Sequence, residues 1–310
     1  MEPSVKNKYS LWLGILLAGS SVAVWGSQSV VGRFLYGESP EEFDASAIAF
    51  YRFLIGGMVL LGFLLCIPGE RKALLPALKS DWKRFLLLGF VGITMEGLLQ
   101  TLSLKYTTSA RSALFGAGAP IFTVLFAWIL LKEPLNGRGI AGTILGMAGT
   151  VVILGGGGMD VYSSKTMIAG DFLALGSGFS WGLYTVLAVA PAKKYGALVC
   201  TCWAMLFASL MLAVPAAFSG GLTQSPSLRT ALGVLYLGVA ASGFAIPAWA
   251  GASRYLSAGA LGAFGYLSLI LAVLFSILFL GETCTWRFVV SFLMILVSLY
   301  LVIRGSRTQN

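Results

Sequence analysis

Residues 257–280 read SAGALGAFGYLSLILAVLFSILFL, a run with no charged side chain. At 1.5 Å per residue such a run makes a helix of about 36 Å, enough to cross a hydrocarbon core of about 30 Å. It is continuously apolar rather than alternating, which favours a helix over a barrel strand. The same measure applied along the chain finds nine more candidates: 10–31, 45–66, 85–104, 109–131, 138–155, 170–190, 197–217, 229–250 and 286–303. The composition agrees, since 57% of the 310 residues are hydrophobic and only 11% charged. Soluble domains carry about 25% charged residues, and one soluble core rarely exceeds roughly 250–300 residues. The first span is too long for a cleaved signal and shows no small-residue cleavage pattern before Arg33, so it is expected to stay.

Charge supplies an orientation. With the N-terminus inside, the inner loops receive Lys6, Lys8, Arg71, Lys72, Lys79, Lys83, Arg84, Lys132, Arg138, Lys193, Lys194, Arg254, Arg304 and Arg307. The outer loops receive Arg33, Lys105, Lys165, Arg229 and Arg287, and Arg52 and Arg111 fall in or near the membrane. Excess Lys and Arg marks the cytoplasmic side, so both termini are expected there. The net charge of +9 is spread between apolar runs and does not form a nucleic-acid patch. With no histidine in the chain, His-based metal sites, triads and proton relays are excluded. Cys66, Cys200, Cys202 and Cys284 lie in or beside apolar segments and read as reduced, small apolar residues. No Walker A motif follows the four glycines 155–158, so direct ATP drive is not expected.

The two halves echo one another. Trp25-Gly26 matches Trp181-Gly182 at an offset of 156, and Lys105-Tyr106 matches Arg254-Tyr255 at 149. At that second offset 257–280 meets 108–131: Phe115, Gly116 and Ile121 align with Phe264, Gly265 and Ile270, and further on Glu133 and Arg138 align with Glu282 and Arg287. The expected organisation is a first repeat over 1–155, a linker over 156–169 and a second repeat over 170–310. Five spans per half is an odd number, so the second half lies inverted, the arrangement secondary transporters use around a midplane site.

The residues then resemble a known family. Val22 to Gly26, the Tyr51-Arg52-Phe53 triplet, Lys105 to Ala110, Ala119-Pro120-Ile-Phe, Leu130 to Pro134 and Leu280 to Thr283 together resemble EamA-type members of the drug/metabolite transporter (DMT) superfamily. Among its subgroups, the abundant aromatic residues suggest the aromatic amino acid exporters of the YddG type. The resemblance implies an all-α membrane protein with ten transmembrane helices, a bacterial inner-membrane location and export of small metabolites. It also implies a cavity walled by helices 1–4 and 6–9, with helices 5 and 10 as supports or dimer contacts. The second half departs from the pattern at the helix 2 arginine, where Trp203 stands.

Charges inside a span are costly and need a partner or a wet cavity. Arg52 can contact a substrate carboxylate or pair with a carbonyl or Glu96. Glu96 and Gln100 share a helix face. Glu96 can hold a substrate ammonium, carry a proton, or pair with Arg52 or Arg111. Asp171 reads as a carboxylate at a helix start, and Glu133 and Glu282 as local caps or partners of Arg138 and Arg287. Trp12, Trp82 and Trp286 suit an interfacial belt, whereas Trp25, Trp181, Tyr184, Trp203 and Tyr266 sit deeper, with Trp249 near the end of its span. Trp25 with Gln28 and Trp181 with Tyr184 are i,i+3 pairs that can stack on aromatic solutes or hold an ammonium by cation–π attraction. The glycine pairs Gly142/Gly146 and Gly178/Gly182 and the run Gly259, Gly262, Gly265 read as close-packing devices, and Pro120 and Pro247 as kinks. The expected substrate-binding set is Trp25, Gln28, Arg52, Glu96, Gln100, Trp181, Tyr184, Trp203, Trp249 and Tyr266, with no cofactor, no metal and no catalytic residues. The partners are a small-molecule substrate (an amino acid or an organic cation), membrane lipid and a proton as coupling ion, with no nucleic acid, the chain acting as monomer or homodimer. Quaternary ammonium efflux is the competing transport reading, and a scaffold or sensor the non-transport one.

Overall fold

Apolar length, glycine contacts and end caps decide where this chain forms helices and how they pack. The computed structural model describes residues 3–36, 44–107, 112, 115–134, 136–154, 165–281 and 286–307, and all regular structure among them is helical. The helices are α1 (Pro3–Tyr36), α2 (Ala45–Cys66), α3 (Pro68–Gly89), a π-helical segment (Phe90–Met95), α4 (Glu96–Tyr106), α5 (Ala119–Leu131), α6 (Gly137–Leu154) and α7 (Lys165–Leu187). They continue with α8 (Val189–Tyr195), α9 (Ala197–Phe218), α10 (Leu228–Tyr236), a second π segment (Leu237–Phe244), α11 (Ala245–Ala252), α12 (Ala258–Leu280) and α13 (Trp286–Arg307). Among the described residues, seven helical stretches are long and apolar enough to cross a membrane: Ser10–Gln28, Ser46–Cys66, Lys165–Tyr195, Ala197–Phe218, Leu228–Ala252, Ala258–Phe279 and Trp286–Gly305.

The chain folds as two compact units, Met1–Thr94 with Leu187–Tyr255 and Met95–Val186 with Leu256–Asn310. Each therefore draws on both halves of the sequence. In the first unit, α2 packs on α9 at Gly57, where a Cβ would lie 2.8 Å from Leu206 Cδ2. It meets the second π segment at Gly56, where a Cβ would lie 2.9 Å from Ser242 Cβ. Gly89 brings α3 onto α9, since a Cβ there would stand 2.5 Å from Ala204 O. Asp44 caps α2 by accepting from the N–H groups of Ser46 and Ala47 at 2.8 and 3.2 Å. Partial burial pushes its carboxyl up, but bonds from Ser46, Ser219 and the backbone outweigh this and hold it below the usual carboxylate range.

The stretch between the second and third expected spans is not a loop. Helix α3 starts at Pro68, buries Leu74 and Ala77, and bends at Asp81, whose backbone is non-helical (φ −134°, ψ 28°). An apolar pair three residues apart on a charged segment makes an amphipathic helix. Its position is pinned by Tyr195 Oη and Lys194 Nζ, which donate to Asp81 Oδ2 at 2.5 and 2.9 Å. The Tyr195 bond first, then Lys194, holds the Asp81 carboxyl below its ordinary range.

In the second unit the expected glycine contacts are present. A Cβ on Gly178 would lie 2.7 Å from Gly116 O, one on Gly182 2.9 Å from Phe122 Cβ, and one on Gly262 2.9 Å from Thr123 Cβ. A Cβ on Gly142 of α6 would lie 2.9 Å from Ser298 O of α13, and Ser291 Oγ donates to Gly149 O along the same seam. One expectation fails. Pro120 does not kink a helix but opens one, at the first turn of α5, where its missing N–H costs nothing. Pro247 is the third residue of α11, directly after the second π segment, so the irregularity expected there is spread over the preceding turns. The first π segment has the same relation to the repeat, because residues 90–95 shifted by 149 become 239–244, inside the second.

Glu133 caps a helix rather than pairing with Arg138, but the helix it caps is not a local one. Its carboxylate accepts from the N–H groups of Ala258 and Gly259 at 3.0 and 3.4 Å and so caps α12 across 125 residues of sequence. An anion there satisfies orphan donors and meets the positive end of the helix dipole. Its repeat partner Glu282, like Cys284, lies outside the described residues. Glu133→Ala should therefore cost about 1 kcal/mol of stability, as lost N-caps do. A thermal-unfolding scan of the detergent-solubilised protein, with Arg138→Ala as the unaffected comparison, checks this.

Candidate functional site

In the first unit the second π segment is the hub. Trp25 Nε1 donates to Ala241 O at 3.0 Å, and Arg52 Nε donates to the neighbouring Ser242 Oγ at 2.8 Å. A π turn is wider than an α turn and interrupts the regular i→i−4 ladder, so neighbouring side chains can reach its backbone. Arg52 reaches the segment because Gly56, one turn further along α2, allows the close approach. The Trp25 ring stands 5.2 Å from the buried ring of Trp249 at 52°, and the Arg52 guanidinium lies 5.0 Å from the Phe53 ring centre. Half-buried Gln28 follows Trp25 by three residues on α1. Ser27 Oγ and Tyr236 Oη are hydrogen-bonded one residue away. Trp203 makes a different contact, donating from Nε1 to Leu74 O of α3 at 3.2 Å.

In the second unit, α4 and α7 run antiparallel, with Gly170 against Thr107, Gly176 against Leu99 and Ser177 against Gln100. This register places Trp181 level with Glu96. Gln100 spends both ends of its amide, donating from Nε2 to Ser112 Oγ at 2.9 Å and accepting at Oε1 from Ser177 Oγ at 2.8 Å. Ser103 Oγ donates to the same Ser112 at 2.7 Å. Glu96, Gln100, Ser103 and Thr107 fall on one α4 face by their 4-3-4 spacing. Trp181 and Tyr184 lie one and two turns beyond Ser177, with ring centres 5.2 Å apart at 33°. Tyr266 is elsewhere in this unit. It lies against Gly146 and donates to Thr143 O at 3.2 Å, deeply buried.

Asp171 was missed as an interior acid. Helix α7 begins at Lys165 rather than 170, so Asp171 sits in its second turn, 6% exposed, accepting from Thr107 Oγ1 at 2.9 Å. Glu96 is thus not the sole acidic residue within a helix interior. The available signal was the spacing Asp171, Ala174, Ser177/Gly178, Trp181 and Tyr184, a single face that continues past the expected start. Trp12, Trp82 and Trp286 are exposed, as an interfacial belt requires. Arg111 lies outside the described residues. Cys200 and Cys202 are buried free thiols and Cys66 an exposed one. Among the described residues no cluster of three or more His, Cys, Asp or Glu could hold a metal ion.

Long apolar helices with polar side chains and aromatic rings held among them define a multi-span membrane protein. The chain belongs to the EamA-like transporter family, whose model matches residues 12–155 and again 168–304. A transporter of Archaeoglobus fulgidus, named only as uncharacterized, is 31% identical over 271 residues, covering 86% of this chain and 89% of that one. YvbV of Bacillus subtilis, also an uncharacterized transporter by name, is 26% identical over all of this chain and 96% of its own length. A solved crystal structure superposes with a TM-score of 0.80 at 20% identity, covering 96% of this chain and 98% of that one, which establishes likeness of fold.

Trp25→Phe removes the donor to Ala241 O while keeping the ring, and should cost about 1 kcal/mol, the net worth of one such bond. Gln100→Leu should cost more, about 1–3 kcal/mol, because it removes two hydrogen bonds at once, one to Ser112 and one from Ser177. Thermal unfolding in detergent measures both, and the order of the two losses is the prediction.

Proposed function

We propose that this transporter exports small amphipathic solutes, aromatic or other neutral amino acids above all, by alternating access in a bacterial inner membrane. The observation that carries the reading is the chemistry set inside each unit. One holds a cation, Arg52, beside the Trp25/Trp249 pair; the other holds an anion, Glu96, on the helix antiparallel to the one that carries Trp181 and Tyr184. Taken separately, the first unit offers a guanidinium for a carboxylate beside rings for stacking, and the second a carboxylate for an ammonium with rings of its own, the chemistry that an aromatic amino acid presents. Ten helices as two inverted repeats remain part of this proposal. The seven long spans would be completed by α3 with its π segment and α4, by α5 and by α6.

Cytoplasmic termini are supported by how the loops gather. Asp81 with Lys194, and Arg254 with Ala192 O at 2.9 Å, bring the basic stretches 71–84, 193–194 and 254 to one end of the first unit. Asp44 meets Gln224 and Ser46 meets Ser219 at another place. Energy coupling is assigned to proton exchange at Glu96. Efflux of quaternary ammonium compounds is the second reading, favoured by the carboxylate and ring pair sharing one unit.

Reconstitution into proteoliposomes tests this. Saturable counterflow of aromatic amino acids is expected, and absence of flux for every amino acid and organic cation overturns the reading. Glu96→Gln should abolish the pH dependence of transport and weaken saturable counterflow, since the same carboxylate holds the substrate ammonium. Arg52→Gln separates the two substrates, since it should abolish amino acid flux and would leave organic cation flux intact.

A further inference from the structure

The first unit contains a groove of about 520 Å³ that none of the ten expected substrate residues lines. That volume is within the range of about 300–1,000 Å³ typical of small-molecule sites. Its walls are apolar, formed by Leu17 of α1, Leu60 and Phe63 of α2, and Pro247 and Ala248 of α11. Phe63 and Phe244 at its margins are 54% and 48% exposed. On the helices of a membrane transporter, exposed apolar side chains lie against lipid tails, so the groove is a lateral slot open to the bilayer.

One end of the slot is charged, with both signs. Glu70 and Arg254 line it there, on either side of Gly196. A Cβ on Gly196 would lie 3.7 Å from Glu70 Oε2 and 3.8 Å from Arg254 Nη2, and its φ of +93° is a conformation glycine adopts without strain. The two side chains flank the same backbone atom, yet among the described residues no ion pair joins them. Arg254 is instead anchored at the rim by its bond to Ala192 O at 2.9 Å. An apolar slot lined also by a carboxylate and a guanidinium that form no ion pair with each other fits a ligand with a tail, an anion and a cation.

We propose that this groove is a binding site for a phospholipid whose headgroup carries a phosphate and a primary ammonium, a phosphatidylethanolamine. One acyl chain fills the apolar slot, the phosphate meets Arg254, and the ammonium donates to Glu70. A guanidinium binds phosphate with several donors at once. A carboxylate distinguishes a primary ammonium, which donates hydrogen bonds, from a trimethylated one, which does not. An anionic lipid such as phosphatidylglycerol satisfies Arg254 but leaves Glu70 facing a polyol. The surrounding surface is basic, with eight Lys and Arg over 66–84, 192–196 and 254 against Glu70 and Asp81. It attracts any anionic lipid non-specifically, and moderate salt screens that attraction.

Titration of the detergent-purified full chain with phosphatidylethanolamine, phosphatidylcholine and phosphatidylglycerol, read by native mass spectrometry at matched ionic strength, tests the site. Phosphatidylethanolamine should bind saturably and at least tenfold more tightly than either other lipid. Glu70→Gln should erase the preference over phosphatidylcholine. Gly251→Leu should weaken all three, because a Cβ at Gly251 meets Ala197 Cβ and Leu17 Cδ1 only at 3.8 Å and its side chain has room to fill the slot. Phosphoethanolamine without a chain should not compete. Equal binding of the three lipids, tighter binding of phosphatidylglycerol, an unchanged preference in Glu70→Gln, or full competition by free phosphoethanolamine would each overturn the proposal. The readout is lipid binding, so it stands or falls independently of the transported solute.

Discussion

A backbone that leaves the regular helical ladder inside a membrane must be satisfied by its neighbours, because lipid offers no hydrogen bonds. The second π segment is where this protein meets that demand. Trp25 donates to Ala241 O and Arg52 to Ser242 Oγ, so the two residues with the strongest functional signature in the first unit are also the ones that stabilise its least regular helix. Site chemistry and backbone irregularity are coupled there. Gly56 makes the coupling possible, since any larger residue would hold α2 off the segment.

The second unit solves a comparable problem with side chains alone. Polar groups on α4 and α7 bond one another in an antiparallel seam, with Thr107 on Asp171 at one end and Gln100 on Ser112 and Ser177 in the middle. Small residues flank the seam, and Gly170, Gly178 and Gly182 are the positions at which α7 comes closest to its neighbours. Burying polar groups in an apolar environment is tolerable because each is matched. The rings of Trp181 and Tyr184 follow on the same α7 face, where the polar run gives way to aromatic surface.

Much of this was legible in the chain. Long uncharged runs state that helices form, and glycines at four-residue spacing state where they touch. Other features depend on partners distant in sequence. Glu133 has a basic neighbour five residues on, and only the fold brings the N-terminus of α12 to it instead. Asp171 looked like an end residue because apolar counting cannot see Lys165 to Ala169 as the first turn. Trp203 aligned with Arg52 by repeat position, but its indole is taken by Leu74 O on an amphipathic helix that hydropathy reads as a loop. Pro120 reads the same in sequence at a helix start and in its middle.

By itself the sequence determined the solvent, the helical class and the family, because apolar length, charge placement and local motifs are one-dimensional properties. The tertiary structure decided the grouping. The compact units cut across the sequence halves, so Trp25 joins Trp249 from more than two hundred residues away, and Gln100 joins Ser177 across the linker. Side-chain hydrogen bonds and glycine contacts act over a few ångströms, and no periodicity along the chain reports which distant residues fall within that reach.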